Sequence, residues 1–213
     1  MTKKIVIHIS GFMLVSLGIV GIIYAGLGAS PIDAFNYFMY VITPLSLGTM
    51  AILTGLIVAM VGFIFDRKKD IILSISFLFL VGIFIDLWKL IFDLIPETVL
   101  SSIYVQIPLS IISLIVIAIG TAITITTGLS VSPYERLMHV IDRKIHSIRY
   151  SKMIIEGTFF IIAITLGIFT KLLWTQVNIM TLMMVLFNGP LVQYFQQRII
   201  NQKRKEGFIH ATE

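Results

Sequence analysis

The sequence contains no cysteine. Disulfides, thiolate metal sites and cysteine nucleophiles are therefore out of the question. Charge is scarce too. Only 13% of the 213 residues are charged, where a soluble domain of ordinary composition carries about 25%. So few charges cannot cover a water-facing surface of this size, which argues against a soluble enzyme or a disordered chain. No HExxH, P-loop, GxSxG or kinase motif occurs, and no histidine cluster. Nothing in the sequence points to an enzyme, a metal or a cofactor.

What fills the chain instead is apolar. Hydrophobic residues make up 57% of it, and the mean hydropathy is +0.99. A membrane-crossing helix needs about 20 mainly apolar residues. Six stretches qualify: 5–28, 46–65, 71–94, 103–127, 152–174 and 177–197. The first is too long for a signal-peptide core of about 7–15 residues, so a retained first helix is expected. Net charge is +5. In a soluble chain that would suggest nucleic acid. Here all Lys and Arg except Lys89 and Lys171 fall on one side of the six stretches. By the positive-inside rule, both termini and the loops holding Arg67 and Arg143 face the cytoplasm. The expected organisation is a single membrane domain over 1–213, ending in a basic cytoplasmic tail at 201–213.

The chain also repeats itself. GLGASPID at 26–33 matches GLSVSPYE at 128–135, an offset of 102 residues. The same offset pairs Gly18 with Gly120 and Gly55 with Gly157. The last span of each half aligns at an offset of 107, which pairs Ser74 with Thr181, Gly82 with Gly189 and Asp86 with Gln193. The halves are thus 5–97 and 103–200. Three spans per half is an odd number, so the second copy must lie inverted in the membrane, as in many transporter folds.

Each GLxxSP turn has the chemistry of a helix restart. Its glycines permit positive φ. Ser30 and Ser132 are preferred N-caps, Pro31 and Pro133 suit the first helical position, and Asp33 and Glu135 suit the third. The restarted helix at 31–45 is too short to span, so it lies in the interface or re-enters the bundle. The one at 133–148 puts Leu137, Val140, Ile141 and Ile145 on one face. It is expected in the interface, with Arg143, Lys144 and Arg149 meeting anionic lipid headgroups.

Charges inside a span cost roughly 2.5–3.5 kcal/mol each on insertion scales, so each is a candidate site residue. Asp86 is the deepest of the acids. Lys89 and Asp93 can form a ladder with it along one helix face. Gln193, Asn188 and Thr181 give the sixth span a polar side. Arg149, Lys152 and Glu156 form a group expected to pair structurally. His8 is expected to make a structural polar contact, and Met180, Met183 and Met184 to give adaptable packing.

Taken together, these residues resemble the YczE/YyaS/YitT group of bacterial membrane proteins, in its YczE-like branch. The resemblance rests on the two glycine-rich turns, on Arg149 followed by Glu156, on Gly82 with Asp86, and on Thr181 ahead of Gly189-Pro190. It covers roughly 5–197. Serine at 30 and 132, Tyr134-Glu135-Arg136 and Ser74 depart from the group's usual residues. The resemblance implies an all-α protein of the bacterial cytoplasmic membrane and carries little chemistry with it.

The expected fold is therefore all-α, with six transmembrane helices, two short interfacial or re-entrant helices and an inverted three-plus-three repeat. The expected function is a small-solute transporter or permease, as a monomer or homo-oligomer. Its candidate site residues are Asp86, Gln193, Asn188, Thr181, Ser30, Asp33, Ser132 and Glu135. The alternative is a scaffold or regulatory partner without flux. A transporter should enclose a polar-lined cavity between the halves that reaches Asp86 or Gln193. A scaffold should have a filled, dry centre.

Overall fold

The computed structural model describes residues 2–65, 71–129 and 132–205. Arg67, Lys68, Lys69 and residues 206–213 lie outside the described residues, as do the side chains of Arg149, Lys203, Arg204 and Lys205. The protein is an all-α membrane protein with six helices long and apolar enough to cross a bilayer. These are α1 (Thr2–Ala25), α3 (Leu47–Phe65), α4 (Ile71–Phe92), α6 (Ile103–Thr126), α8 (Ile148–Thr170) and α10 (Ile179–Lys205). Two half-length helices, α2 (Pro31–Ile42) and α7 (Pro133–Ile145), follow the glycine turns. Two single-turn segments, α5 (Glu97–Leu100) and α9 (Leu173–Gln176), complete the helices of the described residues.

Small residues let α1 and α6 approach closely. A Cβ on Gly11 would lie 3.0 Å from the Gly120 carbonyl, and one on Gly18 would lie 2.8 Å from the Ser113 carbonyl. As the residue number rises along α1 it falls along α6, so the two are antiparallel. α4 packs on α1 and α10 packs on α6, giving one group of four long helices. The second group is α2, α3, α7 and α8, in which α2 packs on α8 and α3, and α7 on α3 and α8. The two groups meet chiefly where α3 packs on α4. The main core runs through this junction, with Val20, Ile22, Leu47, Ile85, Ile117 and Met180 buried together.

The half-length helices both begin near the middle of the bundle and run to opposite ends. Phe35 of α2 packs its ring on Phe159, halfway along α8. Thr43, just after α2, donates to the Met39 carbonyl at 2.7 Å and lies 3.9 Å from Met50 Sδ in the first turn of α3. Tyr134 of α7 also meets Phe159, whereas Lys144 lies 5.4 Å from the Phe65 ring at the far end of α3. At 1.5 Å per residue these helices are roughly 18–20 Å long, about two-thirds of the bilayer core.

The second half differs from the sequence expectation in its helix bounds and in the packing of α7. α8 runs from Ile148 to Thr170, not over 152–174, because Lys171 takes a left-handed φ of 61° and ends it. The chain then forms α9 before α10 begins. α7 is packed into the bundle, and its buried residues are Pro133, Arg136 and Val140. Ile145 is exposed. Packing against α3 and α8, not a flat lipid surface, decides which face is covered.

Candidate functional site

Both helix starts form as the turn chemistry requires. Ser30 Oγ accepts from the Asp33 amide at 3.2 Å, and Ser132 Oγ accepts from the Glu135 amide at 3.2 Å. The two then diverge. The Glu135 carboxylate closes a capping box by accepting from the Ser132 amide at 3.0 Å. The Asp33 carboxylate makes no such return bond and instead accepts from the Ser30 hydroxyl at 2.6 Å. Gly26 and Gly28 both take positive φ, 67° and 111°. A side chain at Gly28 would in addition meet Thr181 and the Asn178 amide.

The two starts face one cavity of about 570 Å³. Ser30 and Asp33 line it from the first half, and Ser132, Tyr134 and Glu135 from the second. Asp33 lies within electrostatic reach of the Tyr134 hydroxyl. Ser74, Thr121, Thr124 and Asn188 add polar atoms from α4, α6 and α10, while Phe12 and Phe77 add rings. Asn188 Oδ1 has no hydrogen-bond partner among the described residues. The described lining holds no Lys, Arg or His. Beside it, His8 is 1% exposed. Its ring packs edge-on against Phe12 and Phe77, and its Nδ1 bonds Thr127 Oγ1 at 2.8 Å.

A second cavity, about 620 Å³, lies toward the α4–α6 connection. Tyr24, Tyr37, Tyr40, Lys89, Asp93 and Gln176 are among its lining residues. The first glycine turn runs from one cavity to the other, with Gly26 lining the second and Ser30 the first, and backbone bonds hold it there. Ala29 N–H donates to the Gln176 carbonyl at 2.9 Å, and Met180 N–H donates to the Leu27 carbonyl at 3.0 Å. Gln176 Nε2 donates to the Ile23 carbonyl at 3.1 Å.

The sequence-predicted residues therefore separate into places. Ser30, Asp33, Ser132, Glu135 and Asn188 converge on the first cavity. Asp86 does not reach it. Its carboxylate accepts from Ser46 Oγ at 2.5 Å and from the Gly48 amide at 2.8 Å, so it caps the start of α3 from across the α3–α4 contact. Gln193 is exposed on α10. Thr181 is buried under the glycine turn, donating to the Gln176 carbonyl at 3.2 Å. The expected three-residue ladder shrinks to Lys89–Asp93 at 2.7 Å, because Asp86 turns toward α3. Tyr24 also donates to Asp93. Burial pushes the Asp93 carboxyl upward, but the bonds from Lys89 and Tyr24 outweigh it and hold it below the usual carboxylate range. Lys152 pairs with Glu156 at 3.5 Å. The cavity also recruits Tyr134, Ser74, Thr121 and Thr124, which sequence reasoning passed over. Tyr134 sits between the two turn residues it did single out, and Ser74 is the repeat mate of Thr181.

Comparison with known proteins places this architecture. Residues 2–197 match DUF6198, a family of unknown function. The chain belongs to that family. A curated relative, the uncharacterized protein YyaS of Bacillus subtilis (strain 168), is 30% identical over 203 residues, covering 93% of this chain and 96% of the relative. No solved structure matches the chain. This DUF6198 member also stands with the YyaS/YczE group that its turn motifs resemble.

Proposed function

We propose that the protein is a small-solute transporter or permease whose two halves are inverted repeats, with the solute site in the cavity where α2 and α7 begin. The observation that carries this is the meeting of Ser30-Asp33 and Ser132-Glu135 on one cavity. These segments are 102 residues apart and occupy equivalent places in the two halves. Helix packing agrees with the repeat. Exchanging the halves maps the α1–α4 contact onto α6–α10, and α2–α8 onto α7–α3. Half-helices that start at mid-depth and expose their N-termini to a cavity are a recurring way of building solute sites between inverted repeats. In this reading the second cavity, at the other end of the first glycine turn, supplies an approach from the opposite face.

The basic residues orient this assembly in the bacterial cytoplasmic membrane with both termini inside. Arg143 and Lys144, exposed at the end of α7, meet anionic headgroups there. A thermal-shift screen of purified protein against a panel of small metabolites, followed by flux of any hit into liposomes, tests the proposal. At least one solute should stabilise the wild type and enter liposomes, and Thr121→Phe, which fills the cavity, should lose both effects. Stabilising solutes that act equally on Thr121→Phe would place binding elsewhere. No flux of any stabilising solute would end the transport reading.

A further inference from the structure

The two groups of helices should meet at two equivalent seams, but only one is closed. In the first half α3 packs on α4. There a Cβ on Gly55 would collide with the Leu78 side chain, and one on Gly82 with Ile52. The repeat makes α8 and α10 the second seam, with Gly157 opposite Val185 and Gly189 opposite Ile154. Among the described residues α8 and α10 scarcely touch. A Cβ on Gly157 or Gly189 would meet nothing within 4 Å. Leu78 is 8% exposed, whereas its mate Val185 is 44% exposed. A mainly apolar groove of about 620 Å³ lies where the contact should be, lined by Met153, Gly157, Phe160, Leu182 and Val185, with Glu156 at its edge.

Glycine inside a helix costs roughly 0.5–1 kcal/mol relative to alanine, and here neither glycine admits a neighbour. We propose that the two seams exchange: the α2-α3-α7-α8 group rocks against the α1-α4-α6-α10 group, closing Gly157 and Gly189 into an α8–α10 contact as the α3–α4 contact opens. The cavity between the groups then changes the face it opens to. Asp86 sets the resting side. Its carboxylate ties α4 to Ser46 and Gly48 at the start of α3, while its mate on α10 is the neutral Gln193. The closed seam is the one with the charged latch. This inference rests on the repeat alignment used in the transport proposal.

The natural chain has no cysteine, so engineered pairs can be oxidised cleanly in membranes carrying the full-length protein. Gly55→Cys/Leu78→Cys reports the closed seam and should cross-link to completion. Gly157→Cys/Val185→Cys should cross-link in a minor fraction. Adding Asp86→Asn should raise that fraction about fivefold, the effect of shifting an equilibrium by about 1 kcal/mol. Ile154→Cys/Gly189→Cys is a second pair across the same seam, in case the first perturbs α8. If both second-seam pairs stay unlinked in either background while the control links, the seams do not exchange. If they link to the same extent with and without Asp86, the latch is refuted. The gel needs no solute. Solute flux without second-seam links would therefore refute the exchange alone, and links without flux would refute transport alone.

Discussion

A carboxylate inside a spanning helix has to find donors, because a buried charge without partners costs several kcal/mol. Asp86 finds them in the Gly48 amide, a donor that the first turn of α3 leaves without an intrahelical partner, and in the Ser46 hydroxyl, which itself accepts from the Thr49 amide. It acts as an N-cap supplied by a neighbouring helix. Asp86→Asn should therefore lower unfolding stability in detergent by about 1–2 kcal/mol. Lys89→Met should not rescue it, since Lys89 bonds Asp93 and not Asp86. Full rescue in the double variant would contradict the cap. Asp93 gives a pH signature at the same end of α4. Its carboxyl is held below the usual range by Lys89 and Tyr24. A depressed carboxylate stabilises the fold above its unfolded value near 3.9, and that stability drains away as pH falls through the lower folded value. The gap in melting temperature between wild type and Asp93→Asn should be full at pH 6 and close below about pH 4. A gap of the same size at every pH would mean that charge is not what Asp93 contributes.

Helix contacts decide which glycines matter. At Gly18 an added Cβ would lie 2.5 Å from Ile117 Cγ1 and 2.8 Å from the Ser113 carbonyl, and backbone cannot yield. Gly18→Val should split α1 from α6 and remove most of the folded protein from membranes, read as monodisperse yield. Gly157→Ala should leave yield unchanged and add roughly 0.5–1 kcal/mol of helix stability. Equal losses in the two variants would show that α8 and α10 are already packed. The elements themselves were legible in the sequence. Six apolar runs of spanning length and two Gly-Ser-Pro restarts have unambiguous signatures, and all eight helices appear. Side-chain direction was harder. Asp86, Lys89 and Asp93 share a helical spacing, so sequence alone joins them, but only the presence of α3 beside α4 decides that Asp86 turns away. α7 shows the same limit. Its apolar stripe predicts a lipid-facing helix, yet Arg136 is 7% exposed, because α3 and α8 cover that face.

Across the whole molecule, the cavity was legible as a place and less so as a list. Its turn residues could be picked from their motif, and Asn188 from its polarity inside a span. Ser74, Thr121 and Thr124 could not, since a hydroxyl in a spanning helix often does no more than bond its own backbone. The orientation of the assembly has a direct test. Glu97→Cys and Lys144→Cys lie at opposite ends of the bundle. In intact cells a membrane-impermeant maleimide should label the first and spare the second until the membrane is opened. The reverse pattern would invert the topology.

The His8–Thr127 bond spans 119 positions of the chain, and α1 makes its closest contacts with α6. At roughly 5–20 residues per second of synthesis, α1 waits on the order of 6–24 s before α6 exists to receive it. During that interval its grooved glycine face and the polar His8, later 1% exposed, have no α6 to cover them. Biogenesis therefore has a vulnerable period written into the order of the helices, and a factor that shelters α1 would act within it.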